Sequence, residues 1–163
     1  MDYTHQYASP LGGITLASDG ESLIGLWFDG QKHFAEGLGP DREERALPVF
    51  AQTERWLAVY FSGREPDFAP PLRWSSTPFR EAVWTALLAV PYGETATYGQ
   101  LAEAVARRTG RERVSPRAVG GAVGRNPISL IVPCHRIVGR GGALTGYAAG
   151  LERKRYLLEL ERK

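Results

Sequence analysis

Between Arg64 and Trp74 the chain carries Pro66, Pro70 and Pro71, and this stretch constrains the fold more than any other. Each proline fixes φ and removes a backbone donor, so neither a helix nor a central strand can run through it. The segments on either side must therefore close their own cores. Before the prolines the apolar residues follow a strand pattern and then one helical run, and after them the spacing is mostly helical. A chain of 163 residues suffices for two small cores. Residues 1–74 are read as an N-terminal α/β domain ending in a proline-rich linker, and residues 75–163 as a second domain.

In the first segment Tyr3 to Ala8, Ile14 to Ala17 and Leu23 to Phe28 read as antiparallel strands, with turns at Gly12-Gly13 and Asp19-Gly20. A loop over Asp29 to Asp41 leads to an amphipathic helix from about Ala46 to Phe61, with Leu47, Phe50, Leu57, Tyr60 and Phe61 at helical spacing. His5 and His33 have no cysteine beside them, and no metal site is expected.

The second segment opens with Thr77-Pro78, an N-cap followed by proline at the first helical position. Phe79, Val83, Leu87 and Leu88 form its core stripe. Thr97 caps a short helix through Leu101, Ala102 and Val105, and Pro116 starts another that Asn126-Pro127 stops at about Arg125. Two short helices joined by a turn suggest a helix-turn-helix. The connection from Arg107 to Val114 holds Arg107, Arg108, Arg111 and Arg113 against one acid, with Gly110 as a hinge. Gly139 to Gly150, with five glycines, reads as a loop. Leu151 to Lys163 reads as a closing helix with Tyr156, Leu157 and Leu160 inward.

Charge divides along the same line. Residues 1–76 hold six Lys/Arg against eleven Asp/Glu, whereas residues 77–163 hold fourteen against seven. The second half is therefore expected to face a polyanion. No apolar run approaches the roughly 20 residues that span a bilayer. Met1 to His5 lacks the basic-then-apolar pattern of a signal peptide, so a cytoplasmic location is expected.

Cys134 is the only cysteine, which rules out an intramolecular disulfide and a multi-cysteine metal site. It lies in Leu130-Ile131-Val132-Pro133-Cys134-His135-Arg136-Ile137-Val138, where Pro133 restrains the backbone and two residues able to lower a thiol pKa follow directly. On these residues alone, a buried structural cysteine beside two solvated polar side chains explains the segment as well as a nucleophile does.

Pro133-Cys134-His135-Arg136 followed by an aliphatic pair resembles the active-site signature of the O6-alkylguanine-DNA alkyltransferases. The resemblance continues in order through Arg117-Ala118-Val119-Gly120-Gly121-Ala122, Asn126-Pro127, Gly146-Tyr147 and the helix ending at Glu161. It is dense over the C-terminal half and present in outline before it. It implies an α/β (α+β) fold: a small ribonuclease H-like N-terminal domain and a mainly helical C-terminal domain with the helix-turn-helix. It also implies irreversible transfer of an alkyl group from O6-alkylguanine in double-stranded DNA to the protein's own cysteine, once per molecule. O4-alkylthymine is a second candidate substrate, and no cofactor is required. A monomer in solution is expected, with cooperative binding along DNA left open.

The resemblance also implies roles. Cys134 is the acceptor, and His135 takes its proton through a water. Glu161 holds the imidazole, although composition gives Glu159 equal standing. Tyr98 hydrogen-bonds the departing guanine, Tyr147 walls the base pocket, and Lys154 lies close by. Arg117 enters the duplex in place of an extruded nucleotide, and Ala118 and Gly120 keep the helix small enough for the minor groove. Asn126 bridges that helix and the active-site segment. Ser129 stands at the pocket rim where some relatives place proline, and Arg136 is an ion-pair partner. Beyond the resemblance, the arginines at 107, 108, 111 and 113 are expected to track phosphates. Three rivals remain: a non-enzymatic binder of damaged DNA, which would lack the cysteine, a helix-turn-helix regulator, and a Cys-His hydrolase.

Overall fold

Alternating apolar residues near the N-terminus build a sheet in the computed structural model, which describes residues 1–162. β1 (Asp2–Ser9), β2 (Gly12–Ser18) and β3 (Leu23–Phe28) form an antiparallel meander, and β4 (Arg42–Glu44) adds parallel to β1. The strand order is β3-β2-β1-β4. Helix α1 (Pro48–Phe61) packs on β1, β2 and β3, burying Phe50, Leu57 and Tyr60 with Ile14, Leu16, Leu26 and Phe28. Each such side chain contributes about 1.5–3 kcal/mol when fully withdrawn from water.

Three details differ from the sequence reading. The first turn is at Pro10-Leu11, and Gly12-Gly13 open β2. The Ser9 hydroxyl closes that turn by donating to the Gly12 carbonyl at 2.6 Å and accepting from the Leu11 amide. Strand β4 had no signal, being short, charged and exposed. Helix α1 begins at Pro48, because the first helical position is where a missing N–H costs nothing.

The chain separates into two compact units: Met1–Trp74 with Pro127–Ser129, and the remainder. The proline-rich stretch ends against β3, where the Leu23 amide donates to the Pro71 carbonyl and the Arg73 amide to Leu23. Pro127–Ser129 also pair with β3, at Leu26.

The second unit contains α2 (Pro78–Leu87), β5 (Ala96–Thr97), α3 (Tyr98–Thr109), α4 (Pro116–Val123), β6 (Ile137–Val138) and α5 (Leu151–Glu161). Thr77 caps α2, and Thr97 with Gln100 forms a complete capping box on α3. Helices α2, α3 and α4 pack together around Val83, Leu87, Leu101, Val105 and Val119, and Trp84 Nε1 donates to the Ala122 carbonyl at 2.8 Å. β5 runs parallel to β6, which ties the start of α3 to the end of the cysteine segment.

Helix α3 runs four residues beyond Val105, so Arg107 and Arg108 are helical and complement the dipole in its last turn. Gly110 is its left-handed C-cap (φ 68°) rather than a hinge. Helix α4 ends at Val123, two residues early. On α5 the inward residues are Lys154, Leu157 and Glu161, while Tyr156 is 40% exposed and Leu160 half-buried. Apolar periodicity misled there because a lysine and a glutamate occupy the buried face.

Candidate active site

Residues 130–138 are buried throughout, including the three polar ones. Leu130 adopts a left-handed backbone (φ 71°), a conformation that costs a side-chain-bearing residue about 1–2 kcal/mol. Pro133 (φ −82°, ψ 65°) then centres an inverse γ-turn, closed by the Cys134 amide donating to the Val132 carbonyl at 2.8 Å. A single 3-10 turn, Cys134–Arg136, carries the next two side chains into the core. His135 and Arg136 are therefore not the solvated pair that the bland reading of the sequence requires.

Both converge on Glu161. Its Oε2 lies 2.6 Å from His135 Nε2, and Arg136 donates from Nε to Oε1 at 2.8 Å and from Nη2 to Oε2 at 3.2 Å. Glu159 points away, is exposed, and pairs with Arg162. A carboxylate only accepts, so Nε2 carries the ring proton and Nδ1 is the basic nitrogen of the neutral ring. Burial pushes the His135 pKa below its ordinary value; Glu161 opposes this, and the charges of Arg136 and Lys154 reinforce it.

The sulfur has its own partners. Burial pushes the Cys134 pKa up, while a hydrogen bond from Asn126, the Lys154 charge and the Tyr147 hydroxyl pull it down. The sequence pointed to His135 and Arg136 for that lowering. Arg136 is instead committed to Glu161, and burial favours the protonated form of the sulfur. Asn126 Nδ2 also donates to the Val132 carbonyl at 2.8 Å, which joins the end of α4 to the cysteine turn. Lys154 is fully buried, with Nζ donating to the Ile137 and Gly146 carbonyls. Burial lowers its pKa, and Cys134 opposes that. The Tyr147 hydroxyl has no nitrogen or oxygen partner among the described residues and faces the sulfur; burial holds its pKa well above the ordinary phenol value. The Tyr98 hydroxyl is hydrogen-bonded by Thr145, a contact without a sequence signal, and burial raises its pKa.

Arg117 is exposed in the first turn of α4, behind the Ser115 cap, and Ala118 is exposed beside it. A side chain added at Gly121 would meet nothing within 4 Å, whereas one at Gly120 would touch the Tyr98 ring at 3.6 Å. The small outer face of α4 is thus open rather than packed on another helix. Arg107, Arg108, Arg111 and Arg113 are all exposed, and the Arg111 guanidinium also lies over the Phe79 ring, 5.5 Å from its centroid. Ser129 belongs to the other unit, where its amide donates to the Leu26 carbonyl, and the structure does not group it with the cysteine site. Among the described residues no group of His, Cys, Asp or Glu could hold a metal ion, and no helix is long and apolar enough to cross a membrane.

Comparison with known proteins agrees along the whole chain. Residues 3–74 match the 6-O-methylguanine DNA methyltransferase ribonuclease-like domain, and residues 78–163 match the DNA binding domain of the same family. A Haemophilus influenzae protein named methylated-DNA–protein-cysteine methyltransferase is 42% identical over 98% of this chain and 86% of its own. One of the same name from Methanosarcina acetivorans is 44% identical over 95% of each. The crystal structure of Mycobacterium tuberculosis OGT in complex with DNA superimposes with a TM-score of 0.86 at 39% identity, covering 98% of this chain and 92% of that one. The chain belongs to the 6-O-methylguanine DNA methyltransferase family.

Proposed function

We propose that the protein repairs alkylated DNA directly, by moving the alkyl group from O6 of guanine in double-stranded DNA to Sγ of Cys134. The observation that carries this reading is the buried His135–Glu161 hydrogen bond of 2.6 Å beside the only cysteine. As the base binds, the thiol proton passes through a water to His135 Nδ1, and Glu161 stabilises the imidazolium that forms. The thiolate attacks the alkyl carbon, so an S–C bond forms as the C–O6 bond breaks. Guanine leaves with the electron pair while the Tyr98 hydroxyl hydrogen-bonds its ring, and the proton held by His135 returns through water to the departed base. The thioether product has no exit, so each molecule acts once, and no cofactor takes part.

The damaged base must leave the stack, which costs a few kcal/mol. Arg117, exposed in the first turn of α4, fills the gap, and the open face at Ala118 and Gly121 favours close approach to the minor groove. Tyr147 and Lys154 line the site that receives the base. Arg107, Arg108 and Arg113 contact phosphates, and the protein acts as a monomer in the cytoplasm. A damage-binding protein without chemistry would have no use for Cys134, and a major-groove reader would need larger side chains on α4. A hydrolase would turn over. Excess methylated duplex settles these choices: one transfer per protein molecule is expected. Repeated turnover, or sequence-specific binding without transfer, would contradict the proposal.

A further inference from the structure

Glu161 is the last residue of α5, where a helix ordinarily frays, yet its carboxylate, besides meeting His135, is held from two further directions. One is the Arg136 fork. The other is the turn Pro91-Tyr92-Gly93-Glu94, whose Gly93 amide donates to Oε1 at 3.4 Å. The same segment fixes the fork, since Arg136 Nη1 donates to the Val90 carbonyl at 2.7 Å and the guanidinium lies over the Tyr92 ring at 5.6 Å. We infer that Gly93 is a positioning residue for alkyl transfer, acting through Glu161; this rests on the proposed reaction at Cys134.

The backbone explains why glycine is needed. The Glu94 amide donates to the Pro91 carbonyl at 3.1 Å, and Gly93 has φ +79° at the third position. Those features define a type II turn, which requires positive φ there and favours glycine or asparagine. Types I and II differ by a flip of the central peptide. In the type II form the 92–93 amide presents its N–H to the carboxylate; a type I turn would carry that N–H away and bring the Tyr92 carbonyl round. A Cβ on Gly93 would also sit 3.2 Å from the Glu161 carbonyl oxygen. The turn therefore sets the polarity of the dipole that faces the relay carboxylate.

The test uses the full chain and free O6-methylguanine base, so that DNA binding does not enter. Gly93→Ala should slow transfer on the order of tenfold, the effect of weakening one hydrogen bond to a charged group. It should also move the midpoint of the pH–rate profile, which a merely loosened turn would not do. Gly93→Asn, which tolerates positive φ, should fold and recover part of both losses. In a Glu161→Gln background Gly93→Ala should change the rate less than twofold. The inference is overturned if Gly93→Ala leaves rate and profile unchanged. It is also overturned if Gly93→Ala lowers the melting temperature alone, or if it slows the Glu161→Gln protein as much as the parent. A wild-type protein that transfers nothing would instead contradict the reaction itself.

Discussion

The Glu161 carboxylate meets His135 Nε2 at 2.6 Å with both side chains sealed from solvent. The two residues are 26 positions apart and come from different elements, so their contact is a product of the fold. Isolated, either polar group would carry a desolvation cost; together, and with Arg136, they form one unit.

Residues that act as a unit share a single loss. His135→Ala and Glu161→Gln should each slow alkyl transfer by about 10²–10⁴-fold, the range for removing a general base. The double variant should be little slower than the worse single one. Rates measured on free base would check this, and full additivity would show that the two act separately.

The thiol gives a pH prediction with a definite sign. Its folded pKa is raised, so Cys134 keeps its proton above the ordinary thiol value of about 8.5. Reaction with iodoacetamide should therefore show a midpoint above that value. Asn126→Ala removes a hydrogen bond that favours the thiolate, and should push the midpoint higher still. The same shift makes stability fully present below the unfolded thiol pKa and lost as pH rises through the folded one. Cys134→Ser should abolish that alkaline loss in urea melts at pH 8 to 10.

Arg117 is proposed to act on the duplex alone. Arg117→Ala should slow repair of double-stranded DNA by tenfold or more, on the order of the few kcal/mol that extrusion costs. Its rate with free base should match the wild type. Equal losses on both substrates would place Arg117 elsewhere in the mechanism.

The basic row divides once its geometry is known. All four arginines are exposed, but the Arg111 guanidinium is held over the Phe79 ring. Replacing Arg107, Arg108 and Arg113 by alanine should reduce the salt slope of binding by close to 0.9 per phosphate contact. Arg111→Ala should leave that slope nearly unchanged and lower stability by about 0.5–1 kcal/mol through the lost ring contact. Fluorescence anisotropy across a salt series would separate the two groups.

The sequence disclosed the site better where side chains follow local rules than where they obey tertiary ones. Thr77 and Thr97 cap helices as their positions suggest, because capping depends on residues three apart. The cysteine segment was visible because prolines and apolar runs frame it. The buried face of α5 was not, since Lys154 and Glu161 are polar and find their partners in distant loops. Composition could not choose Glu161 over Glu159; the depth of each side chain does. Ser129 sits only five residues before the cysteine, yet its backbone belongs to the β3 ladder. The Gly93 amide reaches a carboxylate 68 residues later, a contact that no local pattern announces.

Cys134 is proposed to accept the alkyl group. Peptide mass spectrometry after incubation with a duplex bearing O6-methylguanine reads the acceptor residue itself. One methyl per molecule is expected, confined to the peptide containing Cys134, and no methyl on Cys134→Ser although that variant still binds the duplex. Methyl on any other residue, or an unmodified Cys134 after the lesion has been repaired, would contradict it.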